Sequence, residues 1–261
     1  MKKKKVRSSI VLCGGIGSRM GDLTLHIPKA LLKIQSKPII WYTIGFLIKN
    51  GINRFIFPLG YMGQMIEKFL SDMYSDLNIE LIFCDTGQNT AIHSRIEQVS
   101  NYLDENESFV LINSDTLFKF DLLSMVELHN KKENDITLSS VPVESPWGII
   151  TTNNKDEIIG FERNLKVKNL GLIGDVNLIG EVYSGLCLIR NSCLLDFDWK
   201  NCFDFETDLF NKYIKKGKVD QFQINGVWYP IDTPKHLDAV NNKLTDLLGK
   251  KGFNYYEVKD D

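Results

Sequence analysis

A glycine-rich turn, Cys13-Gly14-Gly15-Ile16-Gly17-Ser18-Arg19, directly follows the apolar run Ser9-Ile10-Val11-Leu12, and Pro28-Lys29 comes soon after it. Glycines at a strand's end let backbone N–H groups approach a phosphate chain with no Cβ in the way. Gly14, Gly15, Gly17 and Ser18 are the candidates for that cradle. Arg19 and Lys29 add positive charge beside it. The combination points to a nucleoside triphosphate and to chemistry on its phosphates. Two commoner motifs do not fit. Counting G-x-G-x-x-G from Gly15 places Met20 at the third glycine, and no Gly-Lys-Ser/Thr occurs. A turn that merely connects elements, with Arg19 and Lys29 as surface charges, is the plain alternative.

Acidic residues recur at strand ends. Phe109-Val110-Leu111-Ile112 runs straight into Asn113-Ser114-Asp115. A carboxylate there is costly unless a cation or hydrogen bonds satisfy it, and Mg²⁺ prefers carboxylate oxygens together with substrate phosphates. Asp115 is therefore a candidate metal ligand, against the simpler reading that it caps the next turn. Asp232 follows the strand-like Val227-Trp228-Tyr229-Pro230-Ile231 and precedes Thr233-Pro234. Locally it reads best as the N-cap of the final helix. Phe161-Glu162-Arg163 ends another strand. Glu162 could accept from hydroxyls and Arg163 clamp a phosphate, or the two could form a surface ion pair. Asp85-Thr86-Gly87, followed by Arg95, offers polar groups beside the same sheet edge. His93 and His129 stand alone and read as structural.

Composition bounds the partners. Over 261 residues the net charge is −2, so no global basic field exists for nucleic acid. Lys2-Lys3-Lys4-Lys5 is the one dense basic cluster and reads as a solubilising terminus. The apolar stretch behind it stops at Gly14, too short for a signal sequence, and no run long enough for a membrane span occurs. The five cysteines are scattered and form no C-x-x-C pair. That argues against zinc and for reduced thiols in the cytoplasm.

Such a site needs a sheet with open strand ends. Apolar runs at 7–12, 53–58, 79–83, 108–113 and 135–142 read as strands. Amphipathic stretches at 39–50, 62–74, 91–103 and 121–131 read as helices between them. Met65, Ile66, Phe69, Leu70 and Met73 follow helical spacing, which predicts a hidden face. The alternation predicts an α/β fold with a Rossmann-like, mostly parallel sheet flanked by helices, binding ligands outside the carboxyl ends of its strands. Further strands are expected at 147–151, 157–162, 182–189, 219–224 and 227–231, and helices at 204–216 and 235–248. Residues 164–180, rich in Gly, Asn and Lys, read as a loop or an irregular excursion. The chain reads as a single domain. Residues 1–142 form its nucleotide-binding half, and 143–261 extend the same sheet and carry the acceptor pocket.

Together these residues resemble the sugar-1-phosphate nucleotidyltransferases. That family opens on G-G-x-G-(S/T)-R-(L/M) and then Pro-Lys, here Gly14 to Met20 and Pro28-Lys29. Lys37-Pro38-Ile39-Ile40-Trp41 and Asn50-Gly51-Ile52 resemble its first helix and the turn into its second strand. Gly60-Tyr61-Met62-Gly63, Asp85-Thr86-Gly87 with Thr90 and Arg95, and Trp228 to Thr233 look most like its glucose-1-phosphate cytidylyltransferase branch. The resemblance implies a GT-A-like fold and Mg²⁺-dependent nucleotidyl transfer. An NTP, CTP favoured, and a sugar 1-phosphate would give NDP-sugar and pyrophosphate. It makes Asp115 and Asp232 the magnesium ligands, and Arg19, Lys29 and Asp115 catalytic. The nucleotide would meet Gly14, Gly15, Gly17, Ser18, Arg19, Asp85, Gly87 and Arg95. The sugar side would be Glu162, Arg163, Ser184, Gly185 and Glu206. A homo-oligomer is open, since family members often form them. The chain departs from the family pattern at Arg163-Asn164, where Lys-Pro is usual, and at Ile92-His93-Ser94, where Thr-Gly-Gly precedes the arginine. Ser184 stands in place of an Asn. A glycosyltransferase using a nucleotide-sugar is the alternative, with Asn113-Ser114-Asp115 one residue from Asp-x-Asp. A catalytically silent nucleotide-sugar-binding domain is another, which the four retained charges argue against.

Overall fold

The first strand, β1 (Ser8–Leu12), is the hinge of the architecture because it pairs in parallel on both sides. In this computed structural model residues 5–144, 149–152, 155, 158–162, 166–167, 169–173, 176–249 and 253–258 are described. The strands β2 (Arg54–Leu59), β3 (Glu80–Asp85), β4 (Ser108–Asn113), β6 (Ile136–Glu144), β7 (Glu181–Arg190) and β8 (Val219–Gln223) complete the sheet. Its order is β3-β2-β1-β4-β7-β6. β8 takes the outer edge of β6 along Ile136–Ser140, and the short strand Lys166–Val167 continues that edge. Four strands from β3 to β4 run parallel, while β7 runs antiparallel to both its neighbours. The sheet is therefore mixed but mostly parallel.

Alternation along each strand sends side chains to two cores. Val11, Phe55, Phe57, Val110, Ile112, Leu186 and Leu188 face one side. Ile10, Ile56, Phe109, Leu111, Cys187 and Ile189 face the other. The first face is covered by α1 (Ile39–Lys49), α2 (Gly63–Met73), α4 (Leu122–Lys131) and α6 (Pro234–Leu248). The second is covered by α3 (Ile92–Ser100), the short turn Ser192–Leu195 and α5 (Phe205–Lys215). Both faces being dry explains why the central strands read as unbroken apolar runs.

The expected boundaries hold to within about three residues for these elements. Two local expectations fail, and one strand is unexpected. In α2 only the centre of the stripe, Ile66 and Leu70, is fully buried, and Phe69 packs at its edge. Met65 and Met73 flank the stripe and stay about two-fifths exposed, at 41% and 40%. Residues 164–180 contain strands rather than a loop. Asn169–Ile173 pairs antiparallel with Val176–Ile179, and the glycines and asparagines interspersed there hide the alternation. A further strand, β5 (Thr116–Lys119), follows Asp115 with no sequence signal and pairs antiparallel with β9 (Val227–Pro230). Outside the main sheet, Ile149–Thr152 pairs with Ile158–Glu162, which places Glu162 at a strand's end beside Ile149.

Candidate active site

β1 and β4 are parallel neighbours in register Leu12↔Asn113, so the turns that leave them lie side by side. Ser114 ties the two turns, donating from its backbone N–H and its hydroxyl to the Leu12 carbonyl at 3.2 and 2.8 Å. The glycine turn then bends at Gly17, whose φ is +71°. A Cβ at Gly17 would fall 2.9 Å from the Lys29 Cβ. Glycine is needed there for the backbone conformation and for the contact that sets Lys29 beside the turn. Ser18–Thr24 continues as a 3₁₀ helix, and the Tyr61 hydroxyl holds its end by donating to the Thr24 and Leu25 carbonyls.

The Lys29 ammonium donates to Asp115 Oδ2 at 2.6 Å and to Asp232 Oδ1 at 3.1 Å. Arg19 Nη2 lies 3.1 Å from the same Asp232 oxygen. Lys29 is largely shielded, with 11% of its side chain exposed, while Arg19 stands out in solvent at 70%. The β5–β9 ladder makes this convergence possible. Pro230 pairs with Thr116, and the Ile231 N–H donates to the Asp115 carbonyl at 2.9 Å. Two aspartates distant in sequence are thereby fixed just beyond the adjoining ends of two paired strands. The helix cap falls one residue later than the local pattern suggested. Thr233, not Asp232, caps α6, its hydroxyl accepting from the His236 N–H. That leaves the Asp232 carboxylate for the cluster.

A second layer lies behind the glycine turn. Arg95, on the first turn of α3, is buried at 4% exposure. It donates to the carbonyls of Leu59, Gln88 and Thr90 and to the Thr86 hydroxyl. Asp85 accepts from the Gly87 N–H at 2.9 Å, closing a tight turn in which Gly87 has φ +87°. The Cys13 thiol beneath the turn is pushed up to about 12, chiefly by burial and against the pull of Arg95. It is a packed thiol, not a nucleophile.

A model of the nucleotidyl transferase family matches residues 8–246. The chain belongs to that family. Among curated relatives, a D-glycero-alpha-D-manno-heptose 1-phosphate guanylyltransferase from Aneurinibacillus thermoaerophilus is 28% identical over 92% of this chain and 99% of its own. A probable glucose-1-phosphate cytidylyltransferase from Bacillus subtilis is 27% identical over 89% of this chain and 94% of its own. In fold, the chain is similar to a putative glucose-1-phosphate thymidylyltransferase from Bacillus anthracis, with a TM-score of 0.68 at 20% identity, covering 95% of this chain and 99% of that one.

In this nucleotidyl transferase the remaining expected residues are spread along β7 and beyond. Ser184 and Gly185 form a bulge in β7, between Tyr183 paired with Ser140 and Cys187 paired with Leu138. The Ser184 side chain is spent on a hydrogen bond with Ser139, and its carbonyl accepts from the Trp228 indole at 2.8 Å. Gly185 has φ +83°, and a Cβ there would strike Asn113 Nδ2 at 2.7 Å. The bulge therefore packs directly on the turn that carries Asp115. Glu206 opens α5 near Tyr183 and Cys187, and burial, then the charge of Asp204, pushes its carboxyl up. Arg163 lies outside the described residues. Trp228 and Asn113 are positioning contacts whose role no spacing rule marks.

Proposed function

We propose that the protein catalyses transfer of a nucleotidyl group from an NTP to a sugar 1-phosphate. One observation carries this reading. Lys29, Arg19, Asp115 and Asp232 converge at the mouth of a glycine turn whose outer member, Gly15, has nothing within 4 Å of its Cβ position. An acceptor phosphate oxygen attacks the α-phosphorus and forms a new P–O bond. The α–β bridging bond breaks, and its electron pair leaves with pyrophosphate. The acceptor is already anionic, so no general base is needed. The work is alignment and charge stabilisation. Backbone amides of Gly15, Gly17 and Ser18 cradle the triphosphate, Arg19 holds the departing pyrophosphate, and Lys29 stabilises charge at the α-phosphate. Glu162, Arg163, Gly185 and Glu206 are assigned to the acceptor side.

The two aspartates fit a hard cation, since both already turn their oxygens to one ammonium. Among the described residues no third His, Cys, Asp or Glu joins them. Mg²⁺ suits such a pair because it takes one or two carboxylates plus substrate phosphates. Asp115 and Asp232 would hold it, and it would supply charge neutralisation between the phosphates. CTP is the nucleotide we favour, from the likeness to cytidylyltransferases, with GTP the alternative from the likeness to guanylyltransferases. A reducing cytoplasmic setting agrees with five unbridged cysteines. No helix among the described residues is long and apolar enough to cross a membrane.

The test is pyrophosphate release with Mg²⁺, each NTP crossed with a panel of sugar 1-phosphates. A productive pair supports the reading. Release of free nucleoside diphosphate from a nucleotide-sugar would instead support a glycosyltransferase. Asp115→Ala should lose nearly all turnover while keeping its melting temperature, and near wild-type turnover would remove Asp115 from the machinery.

A further inference from the structure

We propose that Arg95 is a positioning residue: without touching the nucleotide, it locks the glycine turn to the Asp85–Thr90 loop and thereby sets NTP affinity. The inference rests on the nucleotidyl-transfer reading for its functional half and on geometry alone for its structural half.

The guanidinium is held from three sides. From α3 it reaches back to the end of β2, where Nη1 donates to the Leu59 carbonyl at 3.0 Å. On the loop side Nη1 meets the Thr86 hydroxyl at 2.5 Å, Nη2 the Gln88 carbonyl at 3.0 Å and Nε the Thr90 carbonyl at 3.0 Å. Arginine has five N–H donors, and four of them are spent inward. The third side is made of glycine. A Cβ on Gly14 would lie 2.7 Å from Nη1, and one on Gly60 only 2.4 Å from Nη1 and 2.6 Å from Nη2. The Gly14 carbonyl accepts from the N–H of Tyr61, next to Gly60, at 3.1 Å, and a Cβ on Gly60 would fall 2.5 Å from that carbonyl. The guanidinium is thus the common floor of the phosphate turn and the neighbouring loop.

Its partners are all neutral. Among the described residues no carboxylate comes within ion-pairing distance of Arg95, and Asp85 acts on it only at longer range. A buried cation is tolerated where carbonyl dipoles ring it. Here it packs directly under Gly14, the start of the turn that would receive a triphosphate. Lysine cannot replace it, because one ammonium cannot span acceptors on both sides of the loop.

The experiment compares wild type with Arg95→Lys and Gly60→Ala. Two readouts are taken: NTP dissociation constants by calorimetry, and amide hydrogen exchange of residues 84–91 without nucleotide. Arg95→Lys should weaken NTP binding by roughly tenfold or more, with KM for the sugar 1-phosphate unchanged. Thr86 and Gly87 amides should exchange faster with no ligand present. Gly60→Ala, whose Cβ would crowd both the guanidinium and the Gly14 carbonyl, should produce the same two effects. A residue that only contacts nucleotide would leave the ligand-free exchange unchanged, and that result overturns the proposal. So does a drop in melting temperature with NTP affinity retained. If wild type released no pyrophosphate with any pair, the loop exchange would still decide whether Arg95 is the lock, so the two failures are separable.

Discussion

Lys29 and Arg95 are two shielded cations on opposite sides of one glycine turn, and their surroundings differ in kind. Lys29 is ringed by carboxylates, Asp115 and Asp232, at the solvent-facing mouth. Arg95 is ringed by carbonyls and a hydroxyl in the interior. An ammonium between anionic partners can exchange one anion for another, so a phosphate oxygen can take the place of a carboxylate oxygen. A guanidinium locked to backbone carbonyls has no such freedom without opening the loop. The first arrangement suits chemistry and the second suits rigidity.

Breaking the carboxylate-ringed side should have the larger consequence. Lys29→Met removes the cation on which both aspartates converge, and pyrophosphate release should fall about 10²–10³-fold. Steady-state kinetics at saturating substrates checks this, and a loss confined to KM would move Lys29 from catalysis to binding. Gly15→Ala sharpens the comparison. Its Cβ position is open and its φ is not positive, so the fold should keep its melting temperature. A methyl group facing the phosphates should nevertheless weaken NTP binding, by about tenfold in calorimetry. Unchanged affinity would mean that the triphosphate does not pass over Gly15.

The smallest effect lies far from the turn, at His129. Its ring nitrogens meet the hydroxyls of Thr137 and Ser108 at 2.9 and 3.1 Å. Burial, and then the charge of Arg190, lower it from 6.5 to about 4. Unlike Arg95, it escapes the burden of a buried charge by staying neutral. In the unfolded chain it takes up a proton at higher pH than in the folded one. Stability should therefore fall as pH drops from 6.5 to 4, by up to about 3 kcal/mol from this group. Urea unfolding of wild type and His129→Gln across that range isolates the contribution, and parallel curves would refute it.

The elements that position the site were legible because each carries its own periodicity. The strand before Gly14 and the strand before Asp115 are unbroken apolar runs, and parallel pairing puts their turns together. Asp232 was a different case. Its neighbours Thr233 and Pro234 supply a helix start equally well from either residue, so local pattern favoured a cap. Only the pairing of β5 with β9, a long-range fact, directs its carboxylate to Lys29. Arg95 was legible as a polar group near the turn, but its inward aim was not. That aim depends on Gly60, which no spacing rule connects to residue 95. The ribbon at 169–179 stayed hidden because glycine and asparagine interrupt its alternation.

The ladder between β5 and β9 also constrains the order in which the molecule can come into being. Lys29 and Asp232 are separated by 203 positions. A ribosome that has synthesised the glycine turn, β4 and Asp115 has made every member of the charge cluster but Asp232. Until the β9 segment emerges, the β5 edge is unpaired and Lys29 has one acid partner instead of two. Long-range closures of this sort come late in folding. A nascent chain shorter than β9 can build most of the central sheet, yet it cannot assemble the charge cluster that joins Lys29 to both aspartates.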